Sequence, residues 1–313
     1  ALAGLAPALM LDRGVPPETA REAASIYVFQ RLPHHLAPLA LPSDELLRRT
    51  VRFGCLLVAL VALWPLAPGP QMLRVKRFAA VSMGIFSVGL LYESLHFKSP
   101  DDAASLLRFY WFRLADVAVP LAVALMGAAK IVDAWADQSA RKTAQASTGA
   151  AWRAAAGLVV LVWCGWFLGS TVAVRAADPR APADRKTTNP AAWRDACEWI
   201  AREAPPKALF LVPRHAQSFK WYAARADVGN WKDVPQDAAS VVAWFARCQD
   251  LYAGTDEFGQ AAIVGSPAKL GTARIAELCR KYGATHVIAP CDPPLELPLL
   301  YENEEYAVYA APD

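Results

Sequence analysis

Between residues 53 and 175 the chain offers four apolar stretches, about 53–69, 78–96, 109–132 and 154–174, parted only by short charged breaks. Each approaches the roughly 20 residues that a helix needs to cross a ~30 Å hydrocarbon core, the first being the shortest. Residues 176–313 read instead as an ordinary water-soluble domain. Such a chain has to satisfy two solvents. The totals agree: 55% of the 313 residues are hydrophobic and 19% are charged, against about 25% charged in soluble domains, and the deficit lies before residue 176. A net charge of +3, with no basic run carrying interleaved aromatics, excludes nucleic acid as a partner. The expected class is an α-helical transmembrane bundle followed by a small α/β domain, with the lipid bilayer as the first partner.

The chain opens on "ALAGLAPALML" (1–11). As a helix this covers about 16 Å, half a hydrocarbon core. It has no basic n-region and no clear cleavage site, so the end of a truncated span is preferred to a signal peptide. Residues 13–52 then form an amphipathic loop. "PPETAREAASIYVFQRL" predicts a helix opened by prolines, with Ala24, Tyr27, Val28 and Leu32 on one face, lying along the membrane surface. "LPSDELLRRTVRF" predicts a Ser43 cap leading into the span at 53–69. Pro120 should kink the third span.

Parity sets sidedness. The loops 13–52 and 97–108 and everything after 175 share one side; the loops 70–77 and 133–153 share the other. "QMLRVKRF" puts three basic residues into the loop 70–77, and Arg141, Lys142 and Arg153 lie in the second. The positive-inside rule makes that side cytoplasmic and the C-terminal domain extracytoplasmic.

Residues 176–187, "AADPRAPADRKT", are a linker, and 188–313 the soluble α/β domain. A helix begins at Pro190 and stops at Pro205. "ALFLVP" is a buried strand, "FKWYAAR" a helical turn and "ADVGNW" a strand edge. A second helix follows Asp233 or Asp237 as cap, with Val241, Trp244, Phe245, Cys248 and Tyr252 inward. A third helix stops at Gly283 before a strand at 285–289, and "LPLLYENEEYAVYAA" closes the domain as two strands around a Glu302–Glu304 turn. The six cysteines show no CxxC or zinc spacing and read as small buried hydrophobes.

Polar groups gather at one predicted membrane face. Arg113 and Asp116 lie at i,i+3 where the third span enters, so they can pair on one helix side. Each would cost roughly 2.5–3.5 kcal/mol at a bilayer centre, which makes intramembrane charge a functional candidate. "YESLHF" ends the second span with Glu93 and His96, and "RLPHHL" adds Arg31, His34 and His35. An interhelical clamp is the structural alternative to a phosphate-lipid site. Adjacent histidines on a helix point about 100° apart and chelate one ion poorly. In the soluble domain, "RHAQSFKWYAAR" places Arg214, His215, Lys220, Trp221 and Arg225 after the first strand, where a ligand loop or a solvated turn are both open readings. No P-loop, G-x-G-x-x-G, H-E-x-x-H or G-x-S-x-G occurs.

"YVFQRLPHHLAP", "LRFYWFRLADVAVPL" and "FKWYAARADVGNWKDVPQDAA" resemble a bacterial multi-spanning membrane family of uncharacterised function. The order of spans and then an α/β domain, with "ALFLVPRHAQ", "CRKYGATHVIAP" and "LPLLYENEEYAVYAAP", resembles GT-C-type glycosyltransferases. That resemblance implies an inner-membrane protein using a polyprenyl-phosphate sugar donor, and a divalent metal as the one cofactor to consider. It also implies an acidic catalytic residue in a first outer loop. That loop belongs to an N-terminal half outside this chain, so no residue here inherits the catalytic role. The competing reading is a non-catalytic membrane protein whose outer domain binds a partner or glycan. A transporter is the weakest, since the spans show no inverted pair of broken helices.

Overall fold

The computed structural model describes residues 14–140, 148–178, 180, 184–255 and 260–312. The side chains of 134–140, 148–157 and 159–161 are outside that description, as are the expected span remnant 1–11 and the basic residues Arg141, Lys142 and Arg153. The chain is predominantly helical, with a small mixed sheet towards its C-terminal end. It divides into two compact units, Arg21–Asp178 and Pro179–Asp313, the residues before Arg21 being grouped with the second.

In the first unit, α1 (Pro17–Ser25) begins on a proline, whose missing N–H costs nothing in a first turn. It runs into a π-helical turn, Ile26–Arg31, and a short α2, Pro33–Leu36. The predicted apolar face is used: Ala24 and Val28 are buried, and Tyr27 and Leu32 pack beside them against Leu107 and Phe112. Helix α3, Ser43–Leu63, starts at Ser43 itself, with Pro42 ahead of it and no side-chain cap, so the expected Ser43 cap is not formed.

The expected span at 53–69 needs correction. Helix α3 ends at Leu63, because Pro65 and Pro68 have no N–H to continue it. Its apolar part from Phe53 onward therefore extends only about 16 Å, while its first half carries Asp44, Glu45, Arg48 and Arg49 as two i,i+4 ion pairs. Among the described residues, two helical segments are long and apolar enough to cross a membrane. They are α4, Pro70–Leu95, and Arg113–Asp133 within α6, Arg113–Ala140. They contain most of the expected spans 78–96 and 109–132. The fourth stretch lies in α7, Thr148–Ala177.

Helix α6 packs Val119, Ala122, Val123 and Met126 against Leu60 and Leu63 of α3 and Ala79 of α4. Small residues allow the closest approach, as between membrane helices. A Cβ added at Gly89 would stand 2.5 Å from the Cβ of Trp111. Trp111 sits in the turn before α6, where Tyr110 holds a left-handed φ of 59°. That turn moves the start of α6 to Arg113 from the expected 109. Pro120 lies inside α6 and withholds the N–H that the Asp116 carbonyl would accept. The predicted outer loop 97–108 is not a loop throughout: Pro100–Leu107 forms α5, with Asp101 and Asp102 in its first turn.

In the second unit, α8 (Pro190–Glu203) is capped by Asn189, whose side chain accepts from the Ala191 and Ala192 amides. Strands β1 (Leu209–Leu211), β2 (Ala226–Asp227), β5 (His286–Pro290), β6 (Leu299–Glu302) and β7 (Tyr306–Ala310) make one sheet in the order β2-β1-β5-β7-β6. The pairings around β1 are parallel and those around β7 antiparallel. Alternation along the strands gives the sheet two buried faces. Phe210, Ile288, Tyr306 and Val308 pack against Trp193, Cys197 and Ile200 of α8, while Leu211, Val287, Ala289 and Tyr309 are buried on the other side.

Between the strands lie α9 (Phe219–Ala223), α10 (Ala238–Tyr252) and α11 (Thr272–Tyr282). Asp237, the second of the two expected caps, accepts from the Ser240 amide. Of the expected inward set on α10, Val241, Trp244, Cys248 and Tyr252 are buried and Phe245 is half-buried. Gly283 ends α11 at φ 69°. A second sheet, the antiparallel pair β3 (Ala253–Thr255) and β4 (Ala261–Ile263), stands apart. Cysteines 197, 248 and 279 are buried as expected; Cys164, on α7, is exposed.

Candidate functional site

The polar residues expected at one membrane face separate into two groups, both built within the first unit. The first is a basic cluster. The turn at Pro33 delivers His34 and His35 side by side, their rings 4.2 Å apart. Arg49 reaches across from α3: its guanidinium donates to the His34 carbonyl at 2.8 Å while held by Glu45 at 2.7 Å. Arg113, at the start of α6, places a guanidinium nitrogen 3.1 Å from Nε2 and 3.2 Å from Nδ1 of His35. A guanidinium can only donate, so the His35 ring must accept and be neutral. The electrostatics agree. Burial, and then the cations of Arg113, Arg49 and Arg31, hold the His35 pKa below the ordinary histidine value. His34 is lowered chiefly by burial, then by His35, Arg49 and Arg31, with Glu45 opposing. One arginine thus contacts the His35 ring, a second holds the His34 carbonyl, and Arg31 lies near enough for both rings to feel its charge.

The expected Arg113–Asp116 pair is not made: among the described residues no ion pair joins Arg113 to Asp116 or to Glu93. Arg113 turns to His35, and both Arg113 and Asp116 are exposed on α6. Sequence reasoning missed Arg49. Its i,i+4 spacing from Glu45 reads as a solvated helix pair, and nothing local signals that it also reaches His34.

The second group is a pocket of about 370 Å³. Glu93, in the last turn of α4, is only 5% exposed. Its Oε1 accepts from the Leu39 amide at 2.9 Å, and its Oε2 is buried with no hydrogen-bond partner. His96 also lines the pocket, and its Nδ1 lies 3.0 Å from the Tyr92 carbonyl. Asp101 of α5 accepts from Ser25 Oγ at 2.7 Å. Asp101, Ser25 and Gln30 were not foreseen. The Ser99-Pro100-Asp101-Asp102 start signal of α5 was the available clue. Among the described residues no three His, Cys, Asp or Glu side chains come together as a metal set.

The basic loop of the second unit is brought together only in sequence. Arg225 donates to the carbonyls of Ala201, Ala204 and Pro205 at the end of α8, a C-terminal cap. Lys220 pairs with Asp233 at 2.8 Å and Asp227 at 3.3 Å. The two carboxylates raise the Lys220 pKa against the opposing effect of its burial. Arg214 lies over the Trp231 ring at 4.4 Å and reaches His215 Nε2 at 3.2 Å. Trp221 is 85% exposed, not core. Tyr252 places its hydroxyl 3.0 and 2.9 Å from the Val212 and Gly229 carbonyls, a structural role.

The profile of a domain of unknown function, DUF6798, matches residues 191–251. The match begins in the first turn of α8 and ends within α10, and contains neither group of the first unit. No curated protein and no solved structure matches the chain.

Proposed function

We propose that the chain is a multi-pass membrane protein whose first unit lies in a bilayer and binds the phosphate of an anionic lipid at Arg31, Arg49 and Arg113. The observation that carries this reading is the gathering of Arg49 and Arg113 at His34 and His35, with the charge of Arg31 close by, in a unit that holds two helices apolar and long enough to span. Arginine forks match phosphate oxygens, and each charge-assisted contact gains strength where water is scarce. The bilayer part rests on surface chemistry as well. Helix α7 exposes Trp163, Trp166, Phe167, Leu168 and Val174, and α4 exposes Val88, Leu91 and Leu95, more large apolar side chains than a water-facing surface ordinarily carries.

In this reading the ligand is a polyprenyl-phosphate sugar and the protein part of a GT-C-like glycosyltransferase, with the catalytic acid or base in a loop outside this chain. The membrane is the inner one, and the C-terminal domain is extracytoplasmic. The resemblance of the sequence supports the donor class; the arginine cluster supports only the phosphate. The experiment is binding of polyprenyl phosphate and of the uncharged polyprenol to the detergent-solubilised chain, by native mass spectrometry. The phosphate should bind and the alcohol should not, and Arg113→Ala should weaken phosphate binding about 10–100-fold, the worth of one charged hydrogen bond. Full retention of phosphate by a well-folded Arg113→Ala, Arg49→Ala double variant rejects the site.

A further inference from the structure

The Glu93 pocket has a chemistry opposite to that of the arginine cluster. Its lining includes two carboxylates, Glu93 and Asp101, and no lysine or arginine. Glu93 is 5% exposed; the Leu39 amide donates to its Oε1, the Ala40 amide also faces the carboxyl group, and its buried Oε2 has no well-aligned partner among the described residues. His96 lies with Nδ1 towards the Tyr92 carbonyl, which can only accept, so Nδ1 donates. Phe29 and Phe97 also line the cavity. A buried carboxylate with an open oxygen is costly unless a donor, and best a cation, completes it. Aromatic rings beside it favour a cation further. The volume, about 370 Å³, falls at the low end of small-molecule sites, which run from about 300 to 1,000 Å³.

We propose that this pocket is an ammonium site, with Glu93 as the counter-ion and Asp101 and the two phenylalanine rings around it. The ammonium group belongs either to an aminophospholipid headgroup or to a small soluble amine. The site is independent of phosphate binding at Arg113.

The test uses the full chain in detergent and in lipid nanodiscs, followed by thermal unfolding at pH 7. Ethanolamine and its neutral counterpart ethylene glycol are added at equal concentration and matched ionic strength. Phosphatidylethanolamine nanodiscs are compared with phosphatidylglycerol nanodiscs. Ethanolamine should raise Tm by about 3 °C at ten times its dissociation constant, and ethylene glycol should not. Glu93→Gln keeps the acceptor for Leu39 and should abolish the difference. A rise confined to the phosphatidylethanolamine nanodiscs supports the site and assigns the lipid as its source; a rise confined to free ethanolamine supports it and assigns a soluble amine. No amine-specific rise from either source, a rise that ethylene glycol equals, or a rise that Glu93→Gln retains overturns the proposal. Arg113→Ala should leave the ethanolamine response unchanged, so failure of the phosphate reading is read separately.

Discussion

The two units handle the same residue types in opposite ways. In Pro179–Asp313 the large side chains go inside: Trp193 and Trp244 are 2% and 1% exposed. The cations there are matched internally, Arg194 with the buried Asp184, Lys220 with Asp227 and Asp233, and Arg225 with helix carbonyls. In Arg21–Asp178 the arrangement inverts. Trp166 and Phe167 face outward at 75% and 67% exposure, while Glu93 is buried and small residues such as Ala79 and Ala122 fill the helix contacts. The second unit is stabilised by removing apolar surface from water. The first lacks that economy in its outer surface and is held together by close helix contacts; on the proposed reading, lipid covers the rest.

Separating the units is the strongest way to break this comparison. Residues 179–313 expressed alone should be monodisperse without detergent and unfold in one transition. Residues 21–178 should stay in solution only with detergent or lipid. Starting at 179 matters, because Asp184 is buried and bonded to Arg194 and to the Tyr222 hydroxyl. A detergent-free, monomeric 21–178 would end the inversion argument.

Next in size is the core of the second unit. Trp193→Ala removes a ring packed on Phe219 and Tyr306 and a hydrogen bond to Ser218, and should cost about 3–5 kcal/mol by denaturant unfolding. Trp221→Ala, at an exposed position on the same unit, should stay within about 0.5 kcal/mol. Equal losses at the two positions would contradict the packing.

In the first unit the equivalent sensitivity lies at a glycine. Gly89→Ala drives a methyl into Trp111 and should cost about 1–3 kcal/mol in detergent melts. Gly84→Ala, which meets nothing within 4 Å, should be neutral or slightly stabilising.

The smallest effect is the pH response of His34 and His35 in the first unit. His34 and His35 have folded pKa values below their unfolded value of about 6.5. As pH falls the unfolded chain takes up protons first, so the histidine contribution is complete above about 6.5 and declines as pH drops towards the folded pKa. Protonation also removes the acceptor that Arg113 uses. Melting of the full chain from pH 8 to 5.5 should therefore show a loss that His34→Gln, His35→Gln reduces. Phosphate-lipid binding should strengthen over the same interval, because the cluster gains positive charge. A loss of the same size in the double variant would assign the response elsewhere.

Much of the second unit is legible in its sequence because its signals are local. Asn189-Pro190 starts a helix, Gly283 stops one, and the hydrophobic runs at 208–213 and 285–289 are strands. The pairing of β3 with β4 is not legible, since Ala-Gly-Thr and Ala-Ala-Ile are short and each sets a single strand-favouring residue beside Ala and Gly. In the first unit the apolar stretches mark helices, yet Pro65 shortens one in a way that counting hydrophobic residues overlooks. The site was legible as a face but not as contacts. His35, Glu93 and Arg113 could be placed at one depth; that Arg113 would choose His35 over Asp116, three residues away, depends on a chain separation of 78 residues, which no local pattern encodes.

The strand order has a consequence for synthesis. Strand β1 lies between β2 and β5. Its first partner, with Ala226 opposite Leu209, leaves the ribosome soon after it, and its second, with His286 opposite Phe210, only much later. Arg225, immediately before β2, reaches back to the end of α8 and closes a short loop of low entropic cost. One side of β1 can thus be occupied while translation of the other has not begun, and the exposed edge of β1 must wait unpaired. A nascent chain arrested once β2 has left the ribosome and β5 has not should hold this half-built sheet, and that is the stage at which a chaperone has an edge to grip.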